Sequence, residues 1–214
     1  MIRAARVCSA APCPGNQVDL MRRVCVFCGS SPGARPVFAA AARGLSDVLA
    51  GRAIGLVYGG GKVGLMGLLA DGMLAQGGEV IGVIPESLQA LEVAHEGLSD
   101  LRVVESMHAR KALMSDLSDG FIALPGGLGT FEELLEIATW SQLGLHSKPV
   151  GVLNVAGYFD PLLSLLDHAV AERFLRPDHR QLFLVATEPQ ALLEAMLAFR
   201  APTTSGKWID RDRR

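Results

Sequence analysis

The sequence feature that most constrains the fold is a regular alternation of short apolar runs and longer helical patterns, which begins at Arg23. The apolar runs are rich in Val, Ile and Leu and contain almost no charged residues, which is typical of strands covered on both faces. Strands that alternate with helices form right-handed βαβ units on a parallel sheet. The chain of 214 residues is long enough for one such domain. The sequence therefore predicts an α/β protein with a single-domain, Rossmann-like, doubly wound parallel sheet.

The predicted elements span most of residues 21–201, which we interpret as the domain. Strands are predicted at residues 24–27, 53–58, 80–84, 101–104, 120–124, 149–153 and 182–185, and helices at about 37–50, 64–76, 107–117 and 189–199, with a further helical pattern over 134–140. Residues 1–20 show neither periodicity nor the apolar stretch of a signal peptide. They are predicted to be a disordered or mis-annotated extension, with Met21 as a candidate start, and residues 202–214 a flexible tail.

Composition argues against several classes of function. The net charge is −2 and no basic stripe lies outside the C-terminal tail, so nothing favours a nucleic-acid surface. No apolar run approaches the roughly 20 residues that a membrane-spanning helix needs. Cys25 and Cys28 have C-x-x-C spacing but lie in an apolar strand pattern, in which their sulfur atoms would not converge. We interpret them as buried thiols of a cytoplasmic protein rather than a redox or metal site.

A glycine-rich turn, Pro125-Gly126-Gly127-Leu128-Gly129-Thr130, directly follows the fifth predicted strand and opens a helical pattern. Glycines let the backbone turn tightly and approach a ligand closely, and the free N–H groups of a helix's first turn bind phosphate. Thr130 adds a hydroxyl donor. Glu132 and Glu133 follow, and we predict that both lie in the first helical turn. A phosphate cradle beside a carboxylate indicates chemistry on a phosphorylated small molecule.

Two other glycine-rich turns follow the first and second predicted strands. The first contains Ser30 and Ser31, and the second runs from Gly59 through Gly60 to Gly67. Ligands of such sheets bind beyond the carboxyl ends of the strands, so three turns at one edge predict a nucleotide-sized site. The second turn contains G-x-G-x-x-G, but it follows the second strand rather than the first and includes a lysine. A dinucleotide oxidoreductase is therefore a minor alternative.

Charged residues on the predicted helix at 107–117 are the next candidates. Arg110 and Lys111 are adjacent and diverge by about 100° on a helix, so one could face the cleft while the other meets a phosphate or solvent. His95 and His108 are interpreted as surface or supporting groups rather than ligands. No His/Cys/Asp cluster has the spacing of a metal site.

Four segments together resemble the Lonely Guy (LOG) family: residues 25–31, 58–61, 107–111 and the P-G-G-x-G-T-x-x-E motif from Pro125 to Glu133. Members of this family are cytokinin riboside 5′-monophosphate phosphoribohydrolases, often mislabelled as lysine decarboxylases. The resemblance implies hydrolysis of the N-glycosidic bond of an N6-substituted AMP to the free base and ribose 5-phosphate. It also implies at least a homodimer, and no cofactor or metal.

The resemblance makes Arg110 and Glu133 the catalytic pair. The candidate nucleotide contacts, from the resemblance and the glycine turns, are Ser30, Gly60, Glu92, Lys111, Gly126, Gly127, Leu128, Gly129, Thr130, Glu132 and Thr139. Leu128 departs from the family pattern, in which Tyr is frequent among plant members, and this bears on substrate preference. A carboxylate suits an oxocarbenium-like transition state, because it stabilises positive charge and can orient or deprotonate water.

Alternatives stay open at this point. An AMP nucleosidase would share the reaction and differ only in the base pocket. A non-catalytic nucleotide or molybdenum-cofactor carrier would share the fold and the glycine turns, although the pairing of Arg110 with Glu133 favours an enzyme. Lysine decarboxylation is disfavoured because nothing resembles a pyridoxal-phosphate lysine site. The apolar stretch at residues 140–145 suits either a subunit interface or the core.

Overall fold

The computed structural model describes residues 21–89 and 94–201, so the predicted extension and tail lie outside the described residues. In chain order the elements are β1 Arg23–Phe27, α1 Pro36–Gly51, β2 Gly55–Tyr58, α2 Gly64–Ala75, β3 Val80–Pro85, α3 Glu86–Gln89, β4 Asp100–Val104, α4 Met107–Asp116, β5 Gly120–Ala123, α5 Leu128–Gln142, β6 Val150–Leu153, a 3-10 turn Val155–Gly157, α6 Asp160–Ala171, α7 Pro177–Arg180, β7 Phe183–Ala186 and α8 Pro189–Ala198. All seven predicted strands are present, each within two residues of its predicted bounds.

The seven strands form one parallel sheet in the order β4-β3-β2-β1-β5-β6-β7. The predicted α/β fold with a doubly wound parallel sheet is thereby confirmed. β1 lies at the centre, where Cys25 is in register with Val57 of β2 and with Phe121 of β5. The strand order reverses between β1 and β5, and the crevice beyond the carboxyl ends of such strands is where ligands bind in open α/β sheets. No helix in the described part of the chain is long and apolar enough to cross a membrane.

Helices cover both faces of the sheet. α1, α2 and α8 pack on one face around Val24 and Val26, and α4, α5 and part of α6 pack on the other face around Cys25 and Phe27. Cys28 belongs to the first layer, so the two sulfur atoms of the C-x-x-C spacing lie on opposite faces and both thiols are free and buried. Burial, and then the charge of Glu133, raises the pKa of both thiols. They are protonated packing groups, as predicted.

Two features differ from the expectations. α5 begins at Leu128, so Glu132 and Glu133 lie in its second turn, and the prediction of the first turn was wrong. Gly127 is the N-cap and has an extended backbone, with φ −98° and ψ −153°. Leu128, Gly129 and Thr130, the last residues of the glycine turn, already belong to the helix. The sequence also predicted no element at residues 86–89, where α3 lies, or at residues 154–181, which contain the 3-10 turn, α6 and α7.

Candidate active site

A cleft of about 290 Å³ opens beyond the carboxyl ends of β1, β2 and β5, between the N-terminal ends of α4 and α5. Ser30, from the turn after β1, and Gly59, from the turn after β2, line it. The glycine-rich turn at residues 125–130 after β5, called the P-G-G turn below, lines it from Gly127 onward. Its other wall is apolar, formed by Met66, Leu88, Met107 and Met114. The crevice where the strand order reverses is thus the place where the predicted glycine turns meet.

Arg110 and Glu133, the predicted catalytic pair, line this same cleft from α4 and α5 respectively. α4 is capped by the Ser106 hydroxyl, which accepts the Ala109 N–H at 3.1 Å, and Arg110 follows in its first turn. Arg110 as a whole is 5% exposed, and its guanidinium donates to the Gly59 carbonyl at 3.2 Å. A Cβ at Gly59 would lie 2.1 Å from the Arg110 Nη2, so a larger residue there would displace the guanidinium from its present position.

Glu133 is half-buried and close to the carboxyl end of β1. Its charge is a cause, second only to burial, of the raised pKa of the Cys25 and Cys28 thiols. The carboxylate therefore lies near the carboxyl end of the central strand, and Arg110 brings a guanidinium to the same cleft from α4. A cation and an anion facing one cavity can together stabilise a reaction in which charge separates.

The P-G-G turn is tightly held against its neighbours. Gly29 donates its N–H to the Pro125 carbonyl at 3.0 Å, which ties the turn to the loop after β1. A Cβ at Gly126 would lie 2.1 Å from Thr130 Oγ1 and 2.9 Å from Gly29 N, so no side chain fits there. In contrast, a Cβ at Gly127 or Gly129 would have no atom within 4 Å. Those two glycines face open space at the cleft.

The N-terminus of α5 presents free N–H groups to the cleft. The first intrahelical hydrogen bond runs from the Phe131 N–H to the Gly127 carbonyl at 3.1 Å, so the N–H groups of Leu128, Gly129 and Thr130 have no intrahelical acceptor. These three residues all line the cleft. Free N–H groups and the positive end of the helix dipole together favour an anion such as a phosphate.

Lys111 does not line the cleft, and the structure directs it toward α5. As predicted, it diverges from Arg110, but its side chain is buried rather than directed to solvent. The Lys111 residue is 8% exposed, and its ammonium pairs with Glu136 at 2.9 Å and forms a short ion pair with Glu132. Burial lowers the pKa of Lys111, but the hydrogen bonds to Glu132 and Glu136 outweigh it and the pKa is raised overall. Lys111 is a charged clamp between α4 and α5.

The remaining predicted contacts divide into two groups. Glu132 and Leu128 line the cleft along with Ser30, and Leu128 is 86% exposed at its rim. Gly60 does not line it: its φ is +81° and its carbonyl accepts the His95 N–H at 2.9 Å. Thr139 lies away from the cleft on α5 and donates its hydroxyl to the Leu135 carbonyl at 2.7 Å. Glu92 is outside the described residues.

His95 is buried, which corrects its interpretation as a surface group but agrees with a supporting one. Its Nδ1 accepts a hydrogen bond from the Gly97 N–H at 3.1 Å. The ring proton is therefore on Nε2, which donates a hydrogen bond to the Asp71 carboxylate at 2.9 Å. With its backbone bound to Gly60, His95 holds the segment after α3 against the turn after β2. His108 is exposed. Among the described residues no three His, Cys, Asp or Glu side chains come together as a metal site would require.

Sequence reasoning missed the aromatic residue Tyr158. Its hydroxyl forms a short hydrogen bond to the Gly126 carbonyl, and it also lines a second cavity of about 310 Å³ with Phe38, Leu65 and Pro125. This cavity is apolar and lies on the other side of the P-G-G turn. The only available signal was position, because Tyr158 follows the sixth strand at the same sheet edge as the three glycine turns.

Comparison with known proteins gives close relatives. A family model described as possible lysine decarboxylase matches residues 66–196. The chain is 54% identical, over 81% of its length and 78% of the relative's, to the probable cytokinin riboside 5′-monophosphate phosphoribohydrolase LOGL1 of Oryza sativa subsp. japonica. It is 47% identical, over 86% of its length and 81% of the relative's, to the cytokinin riboside 5′-monophosphate phosphoribohydrolase LOG5 of Arabidopsis thaliana.

A solved structure with the same fold is that of the molybdenum cofactor binding protein from Rippkaea orientalis. The TM-score is 0.63 and the identity 24%, over 83% of this chain and 96% of the other. At that identity the likeness concerns the fold alone.

Proposed function

Because the chain belongs to the Lonely Guy family of cytokinin riboside 5′-monophosphate phosphoribohydrolases, we propose that its cleft hydrolyses the N-glycosidic bond of an N6-substituted adenosine 5′-monophosphate. The products are the free base and ribose 5-phosphate. The observation that carries this proposal is that Arg110 and Glu133 line one cleft whose end is formed by the free N–H groups of α5.

The phosphate of the substrate binds at the N-terminus of α5 in this proposal. The N–H groups from Leu128 to Thr130 donate to it, and Gly127 and Gly129 leave space for its oxygens next to the backbone. Thr130 Oγ1 lies beside Gly126, where it keeps the turn compact. Anchoring the phosphate there brings the ribose toward Glu133, which lines the same cleft one helical turn farther along α5 than Gly129.

In the reaction, the bond between the ribose C1′ and the base nitrogen breaks, and its electron pair leaves with the base. Positive charge develops on the ribose, and the Glu133 carboxylate stabilises it and accepts a proton from the attacking water. The oxygen of that water bonds to C1′. Arg110 brings positive charge to the same cleft, where it stabilises the electron pair that accumulates on the departing base, and the base takes a proton from solvent to become the neutral product.

The apolar wall of the cleft supports the proposal that the substrate is an N6-substituted AMP rather than AMP itself. Met107 is 40% exposed and Leu128 86% exposed at the rim, so both can cover an apolar substituent without disturbing the core. An AMP nucleosidase is the second candidate, since the ribose and phosphate contacts would be the same. A lysine-dependent decarboxylase is not favoured, because no lysine is among the described residues that line the cleft.

We also propose that the chain acts as a homodimer or higher homo-oligomer, as the resemblance implies, and that it is cytoplasmic. Leu143 and Leu145 support the interface interpretation of the stretch at residues 140–145, because they are 47% and 69% exposed. Trp140 at the start of the same stretch packs against the core instead.

The proposal is tested by product analysis with isopentenyladenosine monophosphate and, separately, AMP. Glu133→Gln keeps the size of the side chain, and we expect it to lower kcat by about 10²- to 10⁴-fold. The matched control is Glu194→Gln on the exposed face of α8, which should leave turnover unchanged. Wild-type turnover in Glu133→Gln would refute the role of the carboxylate. Equal release of adenine from AMP would favour the nucleosidase, and nucleotide binding without release of base would favour a carrier.

A further inference from the structure

We propose that Tyr158 is a positioning residue for the phosphate cradle: its hydroxyl holds the Gly126 carbonyl, and this turns the N–H of Gly127 toward the nucleotide phosphate. The inference rests on the proposed function, because it assigns a role in the same site. Tyr158 touches the turn and not the reacting bond, so its effect is on binding rather than on chemistry.

The argument begins with the geometry of one peptide bond. The Tyr158 hydroxyl donates to the carbonyl oxygen of Gly126, and that carbonyl shares a peptide plane with the N–H of Gly127. In a planar trans peptide the C=O and the N–H point in opposite directions. Holding the carbonyl toward Tyr158 therefore directs the Gly127 N–H away from it, and Gly127 lines both the catalytic cleft and the apolar cavity.

The turn needs such a restraint because the backbone dihedral angles of glycine have few steric limits, so the adjoining peptide planes can rotate. Gly126 and Gly127 are consecutive, and glycine loses more conformational freedom on ordering than any other residue. The Gly29 N–H restrains the preceding carbonyl, that of Pro125, at 3.0 Å. Tyr158 restrains the next carbonyl along the chain. The two contacts come from opposite sides, one from the loop after β1 and one from the loop after β6.

Tyr158 is well placed for this role because its ring is held by three other aromatic rings. The ring centroid lies 5.7 Å from Phe38, 6.3 Å from Phe131 and 5.1 Å from Phe159, with edge-to-face geometry to Phe38 and Phe159. Such aromatic contacts are specific in orientation and add to the free energy of burial. The hydroxyl therefore reaches the Gly126 carbonyl from a ring that its aromatic neighbours hold in place.

The backbone that carries Tyr158 is also specifically shaped. Ala156, with φ +51°, and Gly157, with φ +74°, are both in the left-handed region, which is costly for alanine. Asn154 stabilises the turn, since its Oδ1 accepts the Phe159 N–H at 2.8 Å and its Nδ2 donates to Asp160 at 2.7 Å. The Asn154 hydrogen bonds hold this turn in its left-handed conformation, and the turn then fixes the position of the Tyr158 ring.

Tyr158→Phe removes the hydroxyl and keeps the ring contacts, so it tests the hydrogen bond alone. We expect the affinity for 5′-phosphorylated ligands to fall about three- to tenfold, which is typical of one lost hydrogen bond. KM should rise by the same factor with kcat unchanged, because the phosphate is held equally in the ground state and the transition state. Affinity for adenosine, which has no phosphate, should not change.

Tyr58→Phe is the matched control, since the chain has only two tyrosines. Tyr58 is fully buried and its hydroxyl has no hydrogen-bond partner within the part of the chain that the structure describes. Removing that hydroxyl should leave nucleotide affinity unchanged and stability equal or higher. Comparing Tyr158→Phe with Tyr58→Phe distinguishes the effect of losing the hydrogen bond to Gly126 from the effect of removing any tyrosine hydroxyl.

The experiment is calorimetric titration of wild type and both variants with AMP, ribose 5-phosphate and adenosine, together with steady-state kinetics and melting curves. Weaker binding of AMP and ribose 5-phosphate by Tyr158→Phe only, with an unchanged adenosine affinity and Tm, supports the inference. Equal affinities in all three proteins, or equal losses for adenosine and AMP, would overturn it. So would a wild type that binds AMP no more tightly than adenosine. Failure of the proposed function is distinct: wild type would bind isopentenyladenosine monophosphate and release no base from it.

Discussion

Two glycines of the same turn, Gly126 and Gly129, are expected to respond in opposite ways to replacement by alanine. The Cβ of an alanine at position 126 would lie 2.1 Å from Thr130 Oγ1 and 2.9 Å from Gly29 N. The second atom belongs to the backbone and cannot move away cheaply. Overpacking of this kind costs about 1–3 kcal/mol, and in a chain of 214 residues this lowers Tm by about 2–12 °C.

Gly129→Ala should instead raise stability. Gly129 is the second residue of α5, its φ is not positive, and an added Cβ would meet no atom within 4 Å. Alanine at such a position stabilises a protein by about 0.4–1 kcal/mol, mainly by restricting the unfolded chain. We therefore expect Tm to rise by about 1–4 °C.

Nucleotide affinity should nevertheless fall in Gly129→Ala. Cβ atoms of a helix tilt toward its N-terminus, so the new methyl group enters the space where the phosphate is proposed to bind. We expect KM for the nucleotide to rise by about tenfold, equivalent to ~1.4 kcal/mol of binding free energy. A more stable but more weakly binding variant would identify the open space as ligand space rather than a packing defect.

The assays are thermal melts and steady-state kinetics, with Gly51→Ala as the matched control. Gly51 ends α1 far from the cleft, and a Cβ there also has no atom within 4 Å. It should reproduce the gain in stability and leave KM unchanged. Gly129→Ala with wild-type KM would refute a ligand at the α5 N-terminus, and Gly126→Ala with wild-type Tm would refute the steric argument.

Two further predictions concern ionisable groups. Lys111→Met leaves the Glu132 and Glu136 carboxylates, which are partly solvated, without their cation, and we expect the free energy of unfolding in urea at pH 7 to fall by about 1–3 kcal/mol. Because the pKa of Lys111 is raised in the folded protein, this difference between wild type and variant should shrink only above about pH 10.4. A difference that stays constant beyond that pH would contradict the prediction. His146 donates to the Ile137 carbonyl, and burial lowers its pKa, so the unfolded chain binds more protons. The free energy of unfolding of wild type should therefore fall more steeply below about pH 6.5 than that of His146→Gln, and parallel pH profiles would refute this.

The positions of the glycine turns could be predicted from the sequence because the signals are local. An apolar run followed by Gly126, Gly127 and Gly129 indicates a strand end and a turn wherever it occurs. The alternation of elements then places all such turns at one sheet edge. That reasoning also placed Arg110 and Glu133 at the same edge, and the structure has both lining one cleft.

The start of α5 was less predictable because glycine is a poor helix former. Local propensity argued for a helix only after the glycines, whereas the structure starts it at Leu128. Tight packing of Gly126 against Thr130 and the Gly29 backbone holds the turn so that helical hydrogen bonding begins immediately. Tertiary contacts thus moved Glu132 and Glu133 from the first turn to the second.

What the sequence by itself determined is the set of strands and helices, since hydrophobic periodicity and glycine turns act over a few residues. What only the tertiary structure decided is which distant side chains meet. Lys111 pairs with Glu132, 21 residues away, because α4 and α5 pack on the same face of the sheet. Tyr158 reaches Gly126, 32 residues away, because β6 lies beside β5. Such contacts depend on strand order and helix packing, which arise from the burial of the whole core and leave no mark in the local pattern.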